Sequence, residues 1–302
     1  MKRSFASIFS EKVLKLTGSK RHFTQKKDFV KYMERMKRKH VKPYVLPSFF
    51  SKRDDFEKCE VKGMDVYRVK GDGTNDKTKI LYLHGGGYTS DPLPFHWFYI
   101  LQLKACTQTD FYVPVYPKLP LYTYKDAFDK VMEVYENLLE SNNAEDIVFM
   151  GDSAGGGFVL ALAQLIQNKG MPGPRDIIML SPWLDITMSN PELPEFEKTD
   201  PVLGIKGLIA TGKYWAGDTD PNYYLLSPIN GPLEGLGRMT LFVGTRELLC
   251  PDARRFKAIA EEKGVPLRYF EYPEMVHCFP IHPIPEAKEA NEIIVKTILN
   301  EE

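Results

Sequence analysis

The sequence lacks several common features, and each absence excludes a class of protein. It has only four cysteines in 302 residues, too few and too scattered for a disulfide framework, and no C-x-x-C or C-x-x-H cluster for structural zinc. Reduced thiols and a cytoplasmic location are therefore expected. The longest apolar stretch, residues 147–166, is interrupted by Asp152 and a group of glycines, so it does not predict a membrane span.

The sequence also has no excess charge, because 40 Lys+Arg balance 40 Asp+Glu. A neutral chain argues against a generally basic protein that binds nucleic acid. The total hides an asymmetry, since residues 1–42 contain 14 basic and 3 acidic side chains and residues 43–302 carry the compensating acidic excess. With 43% hydrophobic residues, the composition is that of a globular protein with a large buried core.

The basic N-terminal part predicts two amphipathic helices. Apolar residues recur at helical spacing in residues 4–16 and again in residues 29–36, among many lysines and arginines. No apolar segment long enough for a signal peptide precedes Glu11. Two roles stay open for these helices: they dock on the acidic body with their Phe and Met stripes buried, which we favour, or they contact an anionic membrane surface.

From residue 71 onward, apolar strands alternate with helices, which predicts an α/β fold. Short apolar runs predict strands at 80–83, 111–116, 147–150, 177–180, 240–243 and 267–272, after a strand pair at 59–61 and 65–69. Helical periodicity fills the intervals at 95–107, 124–139, 154–167, 252–263 and 285–299. Residues 187–236 interrupt the alternation, with one helix near 205–214. This order predicts a mostly parallel sheet covered on both faces, with ligands bound beyond the carboxyl ends of its strands.

The strand at 147–150 ends in a candidate nucleophile. Gly151-Asp152-Ser153-Ala154-Gly155 is a G-x-S-x-G motif between a strand and a helix, the context in which this motif exposes a nucleophilic serine on a sharp turn. The alternative reading, a glycine-rich helix start without chemistry, stays open on this motif alone. The similar GDS of trypsin-like proteases is rejected because those proteins are all-β.

The strand at 80–83 ends in His84-Gly85-Gly86-Gly87, a loop that can present backbone N–H groups to an oxyanion. We expect the N–H groups of Gly85, Gly86 and Ala154 to form this oxyanion hole. A flexible turn is the plain alternative. Nucleotide binding is disfavoured because neither G-x-G-x-x-G nor a P-loop motif is present. His84 is expected to support the loop.

A serine nucleophile requires a base and an acid, which follow it in the chain in this fold class. Only two histidines follow Ser153, and we choose His277, after the strand at 267–272, over His282 in a proline-rich loop. Glu247 lies just after the strand at 240–243 and is the preferred acid. Asp252 stays an alternative, although an acidic residue at a helix start is ordinary.

Together the HGGG and GDSAGG motifs, the late acid and the late histidine resemble the hormone-sensitive-lipase-like esterases of the α/β-hydrolase fold. The segments Leu180–Asp185 and Leu226–Pro228 are also similar to that family. The resemblance covers roughly residues 55–300 and implies a cap formed by residues 1–50 and the insertion at about 187–236, over a catalytic domain at 51–302. Two departures are Glu247, where the family usually has Asp, and Cys278, where Gly is common.

These residues predict a serine carboxylesterase that needs neither a metal nor an organic cofactor. The segment from His84 to Trp97 is also similar to fungal steryl acetyl hydrolases, which implies a short-acyl ester of an apolar or moderately bulky alcohol. The alternative is a ligand-binding receptor with little turnover, because plant gibberellin receptors resemble this family but lack the histidine. Oligomeric state is left open by the sequence.

Overall fold

The computed structural model describes residues 3–16, 20 and 26–301 of the chain. Its centre is one eight-stranded sheet in the order β1-β2-β4-β3-β5-β6-β7-β8. The strands are β1 (Phe56–Val61), β2 (Met64–Val69), β3 (Lys79–Leu83), β4 (Asp110–Pro114), β5 (Ile147–Asp152), β6 (Asp176–Leu180), β7 (Arg238–Gly244) and β8 (Leu267–Tyr272). From β4 to β8 all neighbours are parallel, whereas β1 and β2 form an antiparallel pair at one edge. The predicted fold class is confirmed.

Helices cover both faces of this sheet. They are α1 (Phe5–Leu16), α2 (Lys26–His40), α3 (Ser48–Ser51), α4 (Pro94–Thr107), α5 (Tyr124–Leu139), α6 (Ala154–Asn168), α7 (Leu193–Thr199), α8 (Ile205–Ala216), α9 (Cys250–Glu262) and α10 (Ala287–Leu299). The short helices α3 and α7 are absent from the sequence prediction, because neither is long enough to show a periodic pattern. Among the helices of the described residues, none is long and apolar enough to cross a bilayer.

Successive residues of each central strand pack alternately into two separate hydrophobic cores. Leu81, Phe149, Ile177 and Leu241 face one side, in a core that includes residues of α2, α5, α6, α8 and α9. Their neighbours along each strand face the other side and pack with α4 and α10. Because successive strand side chains point to opposite faces, fully apolar strands require two covered faces.

The order in which successive strands are added to the sheet reverses at β3. This strand lies between β4 and β5, so the chain adds β4 on one side and later β5 on the other. In an open parallel sheet, such a switch point leaves a crevice at the carboxyl ends of the two adjacent strands. The HGGG loop follows β3 and Ser153 follows β5, so the fold brings the two predicted motifs to this crevice.

Two glycines allow β5, the serine turn and α6 to pass close to β3. A Cβ added to Gly155 would lie 1.9 Å from the carbonyl oxygen of Leu83, and one added to Gly151 would lie 2.4 Å from the carbonyl oxygen of Gly155. These contacts are between backbone atoms, so no side-chain rotation can relieve them. The spacing of the G-x-S-x-G motif is therefore a steric requirement of this crossing.

We expect Gly155→Ala to destabilise the protein by about 3 kcal/mol or more, because the clash with the Leu83 backbone exceeds the roughly 1 kcal/mol that alanine adds to helix propensity. Gly173→Ala is the matched control, since an added Cβ there meets nothing within 4 Å. The control should change the free energy of unfolding by less than about 0.5 kcal/mol. Urea unfolding measures both, and equal stability of the two variants would contradict the steric argument.

Candidate active site

Ser153 lies on the turn between β5 and α6 with a strained backbone, φ 53° and ψ −120°. Two backbone hydrogen bonds hold this turn: the Ser153 N–H donates to the carbonyl of Leu180 at 2.8 Å, and the Trp183 N–H donates to the carbonyl of Ser153 at 2.9 Å. Such a conformation costs on the order of 1–3 kcal/mol and persists only where the surroundings fix it. The result is a serine whose hydroxyl points into the crevice at the start of α6.

His277 and Glu247 complete a hydrogen-bonded chain with this serine. The Nε2 atom of His277 lies 2.9 Å from the Oγ of Ser153, and its Nδ1 is hydrogen-bonded to the Oε2 of Glu247. All three side chains are buried, and Glu247 is completely so. The structure therefore brings together the preferred serine, histidine and acid of the sequence analysis.

Ser181, which the sequence analysis did not single out as a site residue, connects the acid to the histidine loop. Its hydroxyl donates to the Oε1 of Glu247 at 2.7 Å and accepts from the backbone N–H of Cys278 at 2.9 Å. The Gly244 N–H also donates to the same Oε1 at 2.7 Å. The sequence signal for Ser181 was its position. It directly follows β6, which comes between β5, the strand before Ser153, and β7, the strand before Glu247.

Asp252, the alternative acid, lies in the first turn of α9 and bonds elsewhere. Its Oδ1 accepts from the side-chain amide of Asn190 at 3.0 Å, and no described hydrogen bond joins it to His277. Burial raises the pKa of Asp252 to about 6. The geometry therefore favours Glu247 as the partner of His277.

The charge of Glu247 controls the protonation of His277. Burial by itself would lower the pKa of His277, but the Glu247 carboxylate beside Nδ1 raises that pKa above its ordinary value. An adjacent carboxylate favours the imidazolium form, since it stabilises the positive charge. This electrostatic support is what a histidine needs in order to accept a proton from a serine.

The loop after β3 corrects one predicted oxyanion donor. The Gly85 N–H donates to the Oδ1 of Asp152 at 2.9 Å, so it is not available to a ligand. Gly86 and Gly87 line the cavity, whereas Gly85 does not. Ala154 begins α6, where the first N–H groups have no acceptor within the helix. Gly86, Gly87 and Ala154 are therefore the residues whose N–H groups remain as candidate oxyanion donors.

Asp152 connects this loop to β3 and α4 through three hydrogen bonds. Its Oδ1 accepts from the hydroxyl of Tyr82 at 2.7 Å as well as from Gly85, and its Oδ2 lies 3.3 Å from the Nε2 of His96. Burial would raise the pKa of Asp152, but these partners keep it below its usual value. A buried carboxylate with several donors is therefore a fixed anchor for the HGGG loop.

His84 supports the loop, as predicted from the sequence. Its ring stacks on Tyr116 with centroids 4.4 Å apart, and the Tyr116 hydroxyl donates to the His84 carbonyl at 2.6 Å. The side chain is completely buried, and burial lowers the pKa of His84 well below its ordinary value. A neutral, enclosed histidine of this kind acts as a structural support.

A cavity of about 630 Å³ lies over Ser153 and His277. This volume is within the range of small-molecule sites. Most of the wall is apolar, with contributions from Trp183 and Leu249 in the catalytic body. Five aromatic residues follow the HGGG loop closely in the chain: Tyr88, Phe95, Trp97, Phe98 and Tyr99. Of these five, Phe95 lines the cavity and the other four do not. The described residues contain no group of three His, Cys, Asp or Glu side chains that could hold a metal ion.

The N-terminal helices and the insertion complete the cavity wall. Helix α1 contributes Ser10, Val13 and Leu14, α2 contributes Tyr32 and Arg35, and the insertion contributes Val202, Leu203 and Leu208. Helix α2 packs as predicted, because its apolar stripe of Phe29, Tyr32, Met33 and Met36 is buried. The prediction that α1 buries its apolar stripe is wrong, because Phe5, Phe9 and Val13 are exposed.

Tyr32 joins α2 to the loop that follows β3. Its hydroxyl lies 2.7 Å from the Oγ1 of Thr89 and 3.2 Å from the Oγ of Ser90. Tyr88 of the same loop stacks with Trp215 of α8 and with Trp183, with ring centroids 4.2 Å and 5.7 Å apart. The HGGG loop is therefore held by residues from α2, α8 and the catalytic body.

Cys278 follows His277 in a left-handed conformation, φ 55°, which explains why glycine suits this position. Cys278 is one of the residues that line the cavity. Burial raises the pKa of Cys278 to about 11, so the group is a neutral thiol at physiological pH.

Comparison with known proteins identifies the family to which the chain belongs. A family profile described as the alpha/beta hydrolase fold matches residues 80–281, which include the whole serine–histidine–acid chain. The protein belongs to the α/β-hydrolase family. An esterase from Acinetobacter venetianus is 32% identical to this α/β-hydrolase over 215 residues, which cover 70% of this chain and 71% of the relative.

Two further relatives of this α/β-hydrolase are similar in sequence or structure. An acetyl-hydrolase from Streptomyces hygroscopicus is 29% identical over 72% of this chain and 74% of its own. The crystal structure of a candidate esterase from Staphylococcus aureus superposes with a TM-score of 0.88 at 31% identity, covering 93% of this chain and 95% of the other. The predicted enzyme class, a carboxylic ester hydrolase, is confirmed, and the receptor alternative is not favoured.

We expect Glu247→Gln to lower the pKa of His277, because the substitution removes the negative charge beside Nδ1 and keeps the shape of the side chain. NMR titration of the imidazole signals measures this change in the folded protein. Asp252→Asn is the matched control and should leave the His277 signals nearly unchanged. A shift in the control and none in Glu247→Gln would show that Asp252 is the acid.

Proposed function

We propose that the protein is a serine carboxylesterase of the hormone-sensitive-lipase-like branch, with Ser153, His277 and Glu247 as its catalytic residues. The observation that carries the proposal is the 2.9 Å contact between Ser153 Oγ and His277 Nε2, on a histidine whose other nitrogen is bonded to Glu247. The paired HGGG and GDSAGG motifs support the branch.

In the first half of the reaction, the Ser153 oxygen attacks the ester carbonyl carbon while His277 accepts the serine proton. The carbonyl oxygen becomes an oxyanion, which the N–H groups of Gly86, Gly87 and Ala154 stabilise. His277 then donates its proton to the alkoxide, so the C–O bond breaks and an alcohol leaves. The acyl group remains on Ser153 as an ester.

In the second half, water takes the place of the alcohol. His277 accepts a proton from the water molecule as its oxygen attacks the acyl carbonyl, and the same three N–H groups receive the second oxyanion. The Ser153 oxygen then leaves and regains its proton from His277, which releases the carboxylic acid. Glu247 orients the imidazole and stabilises its charged form throughout.

The substrate we propose is a short-acyl ester of an apolar or moderately bulky alcohol. The mostly apolar lining of the cavity supports an apolar ester, and the buried indole of Trp183 limits the space beside Ser153. An acetyl-hydrolase among the similar proteins supports a short acyl group as well. No nucleic-acid partner is proposed, and a cytoplasmic location stays a prediction.

We also propose that residues 1–50 and the insertion at about 187–236 form a cap over a catalytic domain at 51–302. Side chains from α1, α2 and the insertion in the cavity wall support this division. Contacts within the cap are consistent with it, because Phe29 of α2 packs against Tyr214 of α8 with centroids 6.2 Å apart, and Lys20 donates to the carbonyl of Asp200 at 2.6 Å.

Ser153→Ala should reduce hydrolysis of p-nitrophenyl acetate by roughly 10⁵- to 10⁶-fold, because the nucleophile is lost. Labelling by a fluorophosphonate should disappear with it. The matched control is Ser141→Ala, which alters an exposed serine at the end of α5 and should keep full activity and labelling. Undiminished turnover in Ser153→Ala would refute the serine mechanism.

Trp183→Leu should shift the preferred acyl chain toward longer esters, because a smaller side chain leaves more space beside Ser153. The measurement is kcat/KM over p-nitrophenyl esters of increasing acyl length. Tyr223→Leu, which alters an exposed aromatic residue outside the cavity wall, is the control and should leave the profile unchanged. A wild-type preference for long acyl chains would refute the short-acyl substrate.

A further inference from the structure

Helix α1 is docked with its polar side inward and its apolar side outward. Phe5, Phe9, Val13 and Leu16 recur at helical spacing on one face, and Phe5 and Leu16 are 83% and 85% exposed. On the opposite face, Ser7 and Glu11 are only 2% and 5% exposed. A surface helix of a globular protein normally buries its apolar stripe, so this orientation is the reverse of the usual one.

Polar contacts, which would not form in the opposite orientation, fix α1 in this position. Glu11 accepts from Arg3 at 2.5 Å and from Lys15 at 2.6 Å, and it pairs with Arg246 of the catalytic body at 3.2 Å. At the helix start, the Ser4 N–H donates to the Glu286 carboxylate at 2.6 Å. The outward stripe is therefore the consequence of a specific docking arrangement.

Further along α1, Ser10 reaches the loop that carries the catalytic histidine. Its Oγ lies 3.1 Å from the Nδ1 of His282, whose Nε2 lies 3.3 Å from the carbonyl oxygen of His277. Ser10 also lines the cavity. The helix with the exposed apolar stripe is therefore attached directly beside the active site.

The exposed stripe reaches the mouth of the active-site cavity. Val13 lines the cavity and is also 45% exposed, so it lies where the cavity meets solvent. Leu93 and Phe95 do the same from the start of α4. One turn beyond Phe95, the exposed ring of Phe98 packs against exposed Phe49 at 5.5 Å. Two exposed apolar patches therefore border the opening.

A row of cations borders the same opening. Arg35 of α2 lines the cavity and is exposed, with its guanidinium 5.4 Å from the ring centroid of Tyr32. Lys31 and Arg38 lie four residues before it and three after it, so they share its face of the helix, and both are exposed. Within the described part of the chain, no ion pair neutralises Lys31 or Arg38.

We propose that this face docks on an anionic membrane surface, with the α1 stripe in the lipid interface and the α2 cations against the headgroups. Exposed aromatic and aliphatic residues beside lysines and arginines match the two components of interfacial binding. The opening of the cavity then faces the membrane, so an apolar ester dissolved in lipid enters the site directly. The binding itself does not depend on the proposed catalytic residues.

Charge argues against a second copy of the chain as the occupant. In a symmetric dimer built on the α1 stripe, each basic N-terminal region would face its own equivalent, since an isologous interface pairs a surface with itself. Residues 1–42 carry 14 basic and 3 acidic side chains, so this pairing would bring like charges together. An anionic surface supplies the opposite charge instead.

Co-sedimentation of the full chain with vesicles tests the proposal. Wild type and Ser153→Ala should both sediment with vesicles of phosphatidylcholine containing about one third phosphatidylserine, and neither should sediment with pure phosphatidylcholine. High salt should weaken the binding, because it screens the headgroup charge. Since Ser153→Ala has no nucleophile, its binding separates this proposal from the proposed hydrolysis.

Two variants test the two components, each with a matched control. Phe5→Ser/Phe9→Ser should weaken binding at least about tenfold, whereas Phe5→Leu/Phe9→Leu keeps an apolar stripe and should retain most of it. Lys31→Glu/Arg38→Glu should weaken binding by a similar factor. Its control, Lys169→Glu/Lys296→Glu, makes the same charge change at exposed ends of α6 and α10, far from the opening, and should bind as wild type.

Ester hydrolysis, circular dichroism and light scattering test whether a variant loses membrane binding, folding or a dimer. The variants should keep wild-type hydrolysis of a water-soluble ester and wild-type circular dichroism, because none of the altered residues lines the cavity. Sedimentation of wild type with neutral vesicles to the same extent, or undiminished binding of Phe5→Ser/Phe9→Ser, would overturn the proposal. So would light scattering that shows a wild-type dimer which this variant dissociates.

Discussion

The close crossing of β5, the serine turn and α6 over β3 is the constraint on which the rest of the site depends. Gly151 and Gly155 permit it, because any side chain at either position would overlap backbone atoms. The crossing forces Ser153 into a strained conformation and places its hydroxyl at the switch point of the sheet, next to the loop after β3. The proposed base, acid and oxyanion donors all act on substrate bound next to that hydroxyl, so their positions depend on it.

Two buried carboxylates, those of Asp152 and Glu247, fix the residues around Ser153. Asp152 connects Gly85 of the loop after β3 to Tyr82 of β3 and His96 of α4, and Glu247 binds the histidine side through His277 and Ser181. Each carboxylate is satisfied by several donors, which offsets the cost of its burial. The two clusters meet at Ser153, so the proposed oxyanion donors and the proposed base are held by different buried carboxylates.

The N-terminal helices connect this rigid centre to the exterior. Helix α2 buries its apolar stripe and holds the loop after β3 through Tyr32, whereas α1 buries its polar face and leaves its apolar stripe in solvent. The contrast has a physical origin, because Glu11 pairs with Arg246, far along the chain, and only the observed orientation of α1 allows this ion pair. The neutral net charge of the chain is the sum of a basic excess in residues 1–42 and an acidic excess in residues 43–302.

The sequence by itself determined the alternation of strands and helices, the sheet type, and the candidates Ser153 and His277, and it preferred Glu247 to Asp252, because periodicity, motif spacing and chain order can all be read from the sequence. Only the tertiary structure decided between Glu247 and Asp252 as the partner of His277, since both follow the same strand and differ only in what they contact. It also removed Gly85 from the oxyanion donors and revealed the bridging role of Ser181, because hydrogen-bond partners that lie 66 or 67 residues apart leave no local pattern. For the same reason the orientation of α1 could not be predicted: its apolar stripe reads as a buried face, and the polar partners that reverse it come from distant parts of the chain.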